Sequence, residues 1–307
     1  MTPKSDGVLY QLIEARLSAP VDPAVREIAR ALAEDAGALA VLFYGSNLRT
    51  GSLDGVLDFY ILLPGAVTEE PRIWPRVSYH ERAHGDITLR AKTATMRLAT
   101  FAKAASGELN DTTIWARFVQ PSALVWMRGA DTASKVVNTI ASAAITAARL
   151  AAALGPDKGA AEDYWRALFR ATYKAEFRVE KPGRENDILS VNAEHFEGLL
   201  PQSLDAAGVA YERDGLQITP RLPETDRARI LDWWKRRQRL GKPINFARLL
   251  KASTTFEGAA KYAAWKIERH TGMEVAVTPF RERYPILAAP GVLWSLWRHQ
   301  QKQRRTR

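Results

Sequence analysis

The stretch LFYGSNLRTGSLDGVLDFYIL, residues 42–62, decides how the fold is read. It joins two apolar runs, Ala38 to Tyr44 and Val56 to Leu63, through the turn-rich GSNLRTGSLDG, and Pro64 closes the second run. Short apolar runs bounded by Gly, Ser, Asn, Asp and Pro are the mark of buried strands. Upstream, DPAVREIARALAEDAG at 22–37 has apolar residues at helical spacing, with Asp22 placed to cap the helix. Downstream, Ile87 to Ala94 and Ser122 to Trp126 are further strands, with a helix between them from about Thr95 to Ala105. From Asp131 onward the periodicity is helical, over 131–154, 161–180, 186–200, 224–240, 244–252 and 255–270. The pattern predicts an α/β (α+β) domain with a mixed sheet over 1–130, a mainly α-helical domain over 131–290 that completes a cleft, and a basic tail over 291–307. The boundary is placed at 129–133, where Gly129 and Asp131 separate the last strand from an alanine-rich helix.

The chain has 307 residues, 46% hydrophobic and 25% charged, which excludes disorder as its main state. It has no cysteine, so a disulfide scaffold, a thiolate metal site and a cysteine nucleophile are excluded, and any metal must sit on oxygen or imidazole. Val136 to Leu154 is the most apolar long stretch, but Asn138 and Arg149 interrupt it, and it reads as a packed helix. The opening residues carry Asp6 and Glu14 and lack the apolar core of a secretory signal, so the cytoplasm is the expected compartment. A net charge of +10 favours anionic partners: phosphates, nucleic acid or an acidic lipid surface.

The loop itself suggests chemistry. Gly45-Ser46 follows the first strand, and after eleven intervening residues Asp58 stands inside the second. A small Gly-Ser pair lets backbone N–H groups approach a triphosphate, the more so where a helix begins. A carboxylate on the next strand can then hold Mg²⁺ against the same phosphates, and Arg49 adds a phosphate contact from the loop. The pattern resembles the signature of the DNA polymerase β nucleotidyltransferase superfamily. That signature repeats the carboxylate two residues on, where this chain has Tyr60, so Asp54 and Asp86 are the candidates for the missing metal ligand.

Three stretches are similar to the mitochondrial-type CDP-diacylglycerol synthase family, the translocator assembly and maintenance or phosphatidate cytidylyltransferase family. Asp58-Phe59 in a strand after the Gly-Ser loop matches that family's Asp-Phe pair without a second Asp. WARFVQP at 115–121 resembles its Gly-Arg-x-x-Lys-Pro segment at Arg117 and Pro121, with Ala116 and Gln120 departing. ATYKAEFRVEKPGREN at 171–186 resembles its Ser-Tyr-x-Gly-Asp-x-Arg stretch at Tyr173, Glu176 and Arg178, with Ala175 in place of the glycine. The resemblance covers roughly residues 38 to 200. It implies the reaction of CTP with phosphatidic acid to give CDP-diacylglycerol and pyrophosphate, with Mg²⁺ as cofactor. It implies Asp58 as metal ligand, Gly45, Ser46, Arg49, Arg117, Tyr173 and Arg178 around the nucleotide, and Arg90 or Lys92 facing the substrate phosphate. Other acceptors (nucleic acid, a small molecule or a protein) and an inactive relative that only binds membrane or nucleic acid are the alternatives.

Two basic segments bear on location. Between Asp226 and Lys251 nine Lys or Arg face two Asp around Trp233-Trp234, which suits either a solvated helix with buried tryptophans or an anionic docking surface. No acid follows Glu282, and GVLWSLWRHQQKQRRTR sets Leu293, Trp294, Leu296 and Trp297 before a basic run. Such a segment suits an acidic membrane face ahead of nucleic acid, because the implied substrate stays in the bilayer. The expected location is therefore cytoplasmic and peripheral to the inner face of the membrane. His80-Glu81-Arg82-Ala83-His84 formally matches the zinc motif H-E-x-x-H, but that motif needs a helix, and Pro75, Gly85 and the strand at Ile87 leave no room for one. His270 sits at a helix end, where a cation is favourable.

Overall fold

The computed structural model describes residues 7–67, 75–175 and 184–283, with isolated positions 288, 290–292, 294–295 and 298 beyond them. Helices α1 (Val8–Leu17) and α2 (Pro23–Ala36) precede strand β1 (Ala40–Tyr44). The short α3 (Ser46–Thr50) leads to β2 (Leu57–Leu63), followed by the hairpin β3 (Arg76–His84) and β4 (Ile87–Arg97). Helices α4 (Leu98–Ala105) and α5 (Thr113–Phe118) then return the chain to β5 (Ser122–Met127). Next come α6 (Ala130–Leu154), β6 (Gly159–Ala160), α7 (Ala161–Ala175), α8 (Arg184–Val191), α9 (Ala193–Phe196) and α10 (Leu199–Ala206). The hairpin β7 (Tyr211–Asp214) and β8 (Gln217–Pro220) is followed by α11 (Glu224–Thr255), α12 (Ala259–Thr271) and α13 (Pro279–Arg283).

The main sheet has the order β3-β4-β2-β1-β5 and is mixed, as the sequence implies: β2 and β4 run parallel and the other neighbours antiparallel. Alternation along the strands sends their side chains to two separate cores. Val41, Phe43, Phe59 and Ile61 meet Val25, Ile28 and Leu32 of α2. Leu42, Tyr60 and Leu62 face the helical layer, where Phe101, Trp115, Phe118 and the small side chains of α6 pack. Asp22 caps α2 by accepting from the Ala24 N–H at 2.8 Å.

α6 is long and apolar enough to span a membrane by length and composition, and most of its apolar window is buried against its neighbours in the fold. The turn between β5 and α6 coincides with the expected boundary, yet the larger core crosses it, joining residues from Leu9 to Trp234. The expected 186–200 helix is divided into α8, α9 and α10, and the two expected helices at 224–240 and 244–252 form one 32-residue helix with Pro243 inside. Packing explains the continuity better than propensity does: a β-carbon on Gly241 would lie 2.3 Å from the Ala175 carbonyl oxygen, so α11 is pressed against the end of α7. Trp234 is buried, and Trp233 is half-buried with its Nε1 donating to the Gly107 carbonyl, so the pair belongs to the interior. The basic tail falls largely outside the described residues; within it Trp294 is exposed, with the Arg298 guanidinium 3.6 Å above its ring.

Candidate functional site

A row of residues runs across the sheet at the end of β1. Tyr44 pairs with Asp58, Asp58 with Lys92 and Lys92 with Tyr79. Paired positions put side chains on the same face of neighbouring strands, and Lys92 Nζ lies 3.3 Å from Asp58 Oδ1. Just past Tyr44 the chain turns sharply at Gly45, with φ 92° and ψ −163°, and α3 starts at Ser46. Glycine is required here twice over. The positive φ disfavours a side chain, and a β-carbon would stand 3.2 Å from Asp58 Oδ2. Asn47 is buried and donates to the carbonyls of Ser52 and Asp54, at 2.8 Å each, which pins the loop between α3 and β2.

Gly45, Ser46, Arg49, Asp58, Lys92, Arg117 and Tyr173 line one cleft of about 290 Å³. These are seven of the residues that the sequence nominates, drawn from the turn after β1 and from α3, β2, β4, α5 and α7. Three cations face one acid, an excess of positive charge that favours anions over cations in the cleft. The Arg117 guanidinium lies 5.2 Å from the Tyr44 ring centre, and its Nη1 donates to the Tyr44 hydroxyl at 3.4 Å. Burial pushes the Tyr44 phenol up to about 12, against the opposing pull of Arg117, so Tyr44 stays neutral at physiological pH. The cleft is completed by Tyr44, Gln120, Pro121, Ile188 and Asn192. Gln120 and Pro121 were visible as neighbours of Arg117; Ile188 and Asn192 belong to the segment behind α7 and carry no local signal.

Other nominated residues lie elsewhere. Arg90 shares the Lys92 face of β4 one step along, but its guanidinium faces Glu81 at 3.5 Å and the Trp265 ring of α12 at 5.3 Å, and it does not line the cleft. The Asp54 carboxylate is held by both terminal nitrogens of Arg269, at 3.1 and 2.8 Å. Asp86 is exposed in the β3–β4 turn, six residues from Lys92 along β4, which is roughly 20 Å of strand. Neither carboxylate lines the cleft with Asp58. Tyr60, at the position of the second carboxylate of the superfamily signature, is a core side chain against Phe101 and Phe118. Arg178 and Glu176 lie outside the described residues.

Among the described residues no cluster of three His, Asp or Glu could hold a metal by itself. Mg²⁺ does not need one, since it is commonly bound through one or two carboxylates together with substrate phosphates and water. Asp58, kept accessible by the bare α-carbon of Gly45, fits that mode and no all-protein cage. The H-E-x-x-H segment is strand β3, so its histidines are about 13 Å apart along the chain. His80 Nε2 contacts Thr93 Oγ1 at 3.3 Å, and His84 pairs with Glu27 at 3.1 Å.

No family model matches the sequence, and no curated protein matches it.

Proposed function

We propose that the cleft is the active site of a nucleotidyltransferase that takes CTP and phosphatidic acid and forms CDP-diacylglycerol and pyrophosphate, in the manner of the mitochondrial-type CDP-diacylglycerol synthases that the sequence resembles. The observation that carries the reading is the meeting of Gly45, in the turn past β1, with Asp58 and Lys92, paired on β2 and β4, in a cleft that Arg49 and Arg117 also line. A phosphate oxygen of the acceptor attacks the α-phosphorus; the new P–O bond forms as the bond to the bridging oxygen breaks, and pyrophosphate leaves with the electron pair. The acceptor phosphate is already ionised at neutral pH, so no strong base is required, and the task is to hold two anions in line. Lys92, Arg49 and Arg117 reduce their mutual repulsion, and the first-turn N–H groups of α3 lie beside Gly45 to receive phosphate oxygens. Mg²⁺, when bound through Asp58, supplies further neutralisation of the phosphates.

The surface suits an acidic bilayer. Arg236 and Arg239 are exposed on α11 together with Leu240 and Phe246, the last 65% exposed. Positions 236, 239, 240, 243 and 246 are three or four apart and share one helix face, where cations can meet lipid head groups and apolar side chains the acyl boundary. That face of α11 is the docking surface of this reading; Trp233 and Trp234 are withdrawn into the fold and take no part in it.

A second reading, a relative that binds nucleotide without turnover, is favoured by the Lys92 ammonium beside the single cleft carboxylate. The two separate on incubation of the pure protein with labelled CTP, Mg²⁺ and mixed micelles of phosphatidic acid, followed by organic extraction. Label in the organic phase, lost in Asp58→Ala, supports transfer to lipid. No organic label with CTP, ATP, GTP or UTP contradicts it, and aqueous labelled products would direct the search to soluble acceptors.

A further inference from the structure

A second groove, of about 660 Å³, lies between α4, α6, α10 and α11 and shares no lining residue with the cleft. Its volume is within the range of small-molecule sites. Its orientation follows from the way α11 crosses α6. Arg227 of α11 donates to the carbonyls of Ala153 and Gly155 at the end of α6. Six residues on, Trp233 lies beside Thr146, for a β-carbon added to Gly107 would meet both, at 2.9 and 3.0 Å. The helices therefore run antiparallel here, and Arg149 of α6 and Arg229 of α11 fall at the same end of the groove.

The groove changes character along its length. At the arginine end no acid lines it; Arg229 pairs with Asp226 at 2.6 Å, whereas Arg149 is exposed and makes no ion pair among the described residues. The middle is apolar, walled by Ile145, Leu150, Ala207 and Ile230. At the far end the hydroxyls of Ser142 and Thr146 donate to backbone carbonyls of α6, so they offer the groove no donor, and the Trp233 ring forms a flat apolar wall. A cationic end joined to an apolar channel selects a ligand of the opposite pattern.

The geometry points to a binding site for an anionic amphiphile, with its carboxylate or phosphate head at Arg149 and Arg229 and its hydrocarbon chain along Ile145, Leu150 and Ile230 toward Trp233. The site is independent of the nucleotide reading of the cleft, because it rests on none of the cleft residues.

Equilibrium dialysis of the full chain against radiolabelled dodecanoate, dodecyl phosphate and uncharged dodecanol, each below its micelle threshold, tests this. Saturable binding of one or both anions, at least about tenfold weaker in Arg149→Glu, is the expected result, since a hydrogen-bonded charge contact is worth that much. Preference for dodecanoate assigns the site to free fatty acids, and preference for dodecyl phosphate assigns it to phospholipid-type head groups. Ala207→Trp, which fills the apolar wall without touching the arginines, should abolish chain binding. The proposal is overturned if neither anion binds saturably, if dodecanol binds as well as the anions, or if both variants bind like the parent.

Discussion

The carboxylate of Asp58 rests against the bare α-carbon of Gly45, so close that an added β-carbon would stand 3.2 Å from Oδ2. Two strands of the sheet and the start of α3 thus meet at a point where a side chain on residue 45 fits only if the Asp58 carboxylate gives way by a few tenths of an ångström. Gly45→Ala must both hold a left-handed φ and displace the Asp58 carboxylate. The expected cost is about 1–2 kcal/mol of stability from the backbone alone. Activity should fall further than stability does, since Asp58 is moved. Urea titration beside transfer assays checks this; a fully active Gly45→Ala would detach the glycine from function.

Asp58 and Lys92 are both partly exposed, so their 3.3 Å pair should add less than about 1 kcal/mol to the fold. Asp58→Asn and Lys92→Met should therefore melt close to the parent while nucleotide affinity drops. Lys92→Met should weaken triphosphate binding about tenfold by removing one charge-assisted contact. Isothermal titration with CTP and Mg²⁺ reads this, and unchanged affinity in Lys92→Met would remove Lys92 from the site.

His195 of α9 is half-buried, and that burial drives its pKa down to about 4 from an ordinary 6.5. Its Nε2 lies 2.9 Å from the Val119 carbonyl oxygen. A carbonyl can only accept, so Nε2 carries the proton and donates. Because the folded pKa is depressed, the neutral ring contributes its full stability above pH 6.5. That contribution is lost as pH falls from about 6.5 to about 4, where the unfolded chain binds a proton that the folded chain does not. The loss is on the order of 3 kcal/mol. Unfolding midpoints at pH 7 and pH 5 should differ in the parent and differ less in His195→Gln; equal pH slopes in the two would refute the assignment.

Asp111 and Arg248 form an ion pair that is nearly closed to solvent, with Arg248 Nη2 2.9 Å from Asp111 Oδ2. Asp111 also accepts from the N–H and hydroxyl of Thr113 at the start of α5. Arg248→Met leaves a buried carboxylate without its cation and should cost about 3 kcal/mol. Asp111→Asn combined with Arg248→Met should recover much of it, because the uncompensated charge is gone. A double-mutant cycle in urea decides, and additive losses would show that the two groups act separately.

Local signals were the ones that could be read from the sequence. β1, the Gly45 turn and β2 lie within 25 residues of one another, and their apolar runs and turn residues carry their own reasons for folding. Lys92 was visible because β4 is an apolar strand interrupted by a cation at alternating positions. β3 was not read as a strand: RVSYHERAH is an edge strand whose polar residues face solvent or pair with distant partners such as Asp35 and Glu257, so no alternating apolar pattern marks it. Asp54 and Asp86 were candidates for the carboxylate missing at Tyr60, but Arg269 holds the first and the β3–β4 turn carries the second. Asn192 reaches the cleft through the packing of helices that follow α7, a relationship that no spacing in the sequence encodes.

The central claim, that the cleft carries out nucleotidyl transfer, is tested most directly by supplying CTP labelled in turn at the α- and γ-phosphates, with Mg²⁺ and phosphatidic acid micelles. The account predicts that α-label enters the organic phase, that γ-label appears in pyrophosphate, and that both stop in Asp58→Ala. Organic γ-label would show phosphoryl transfer instead, and neither label in product would contradict catalysis at this cleft.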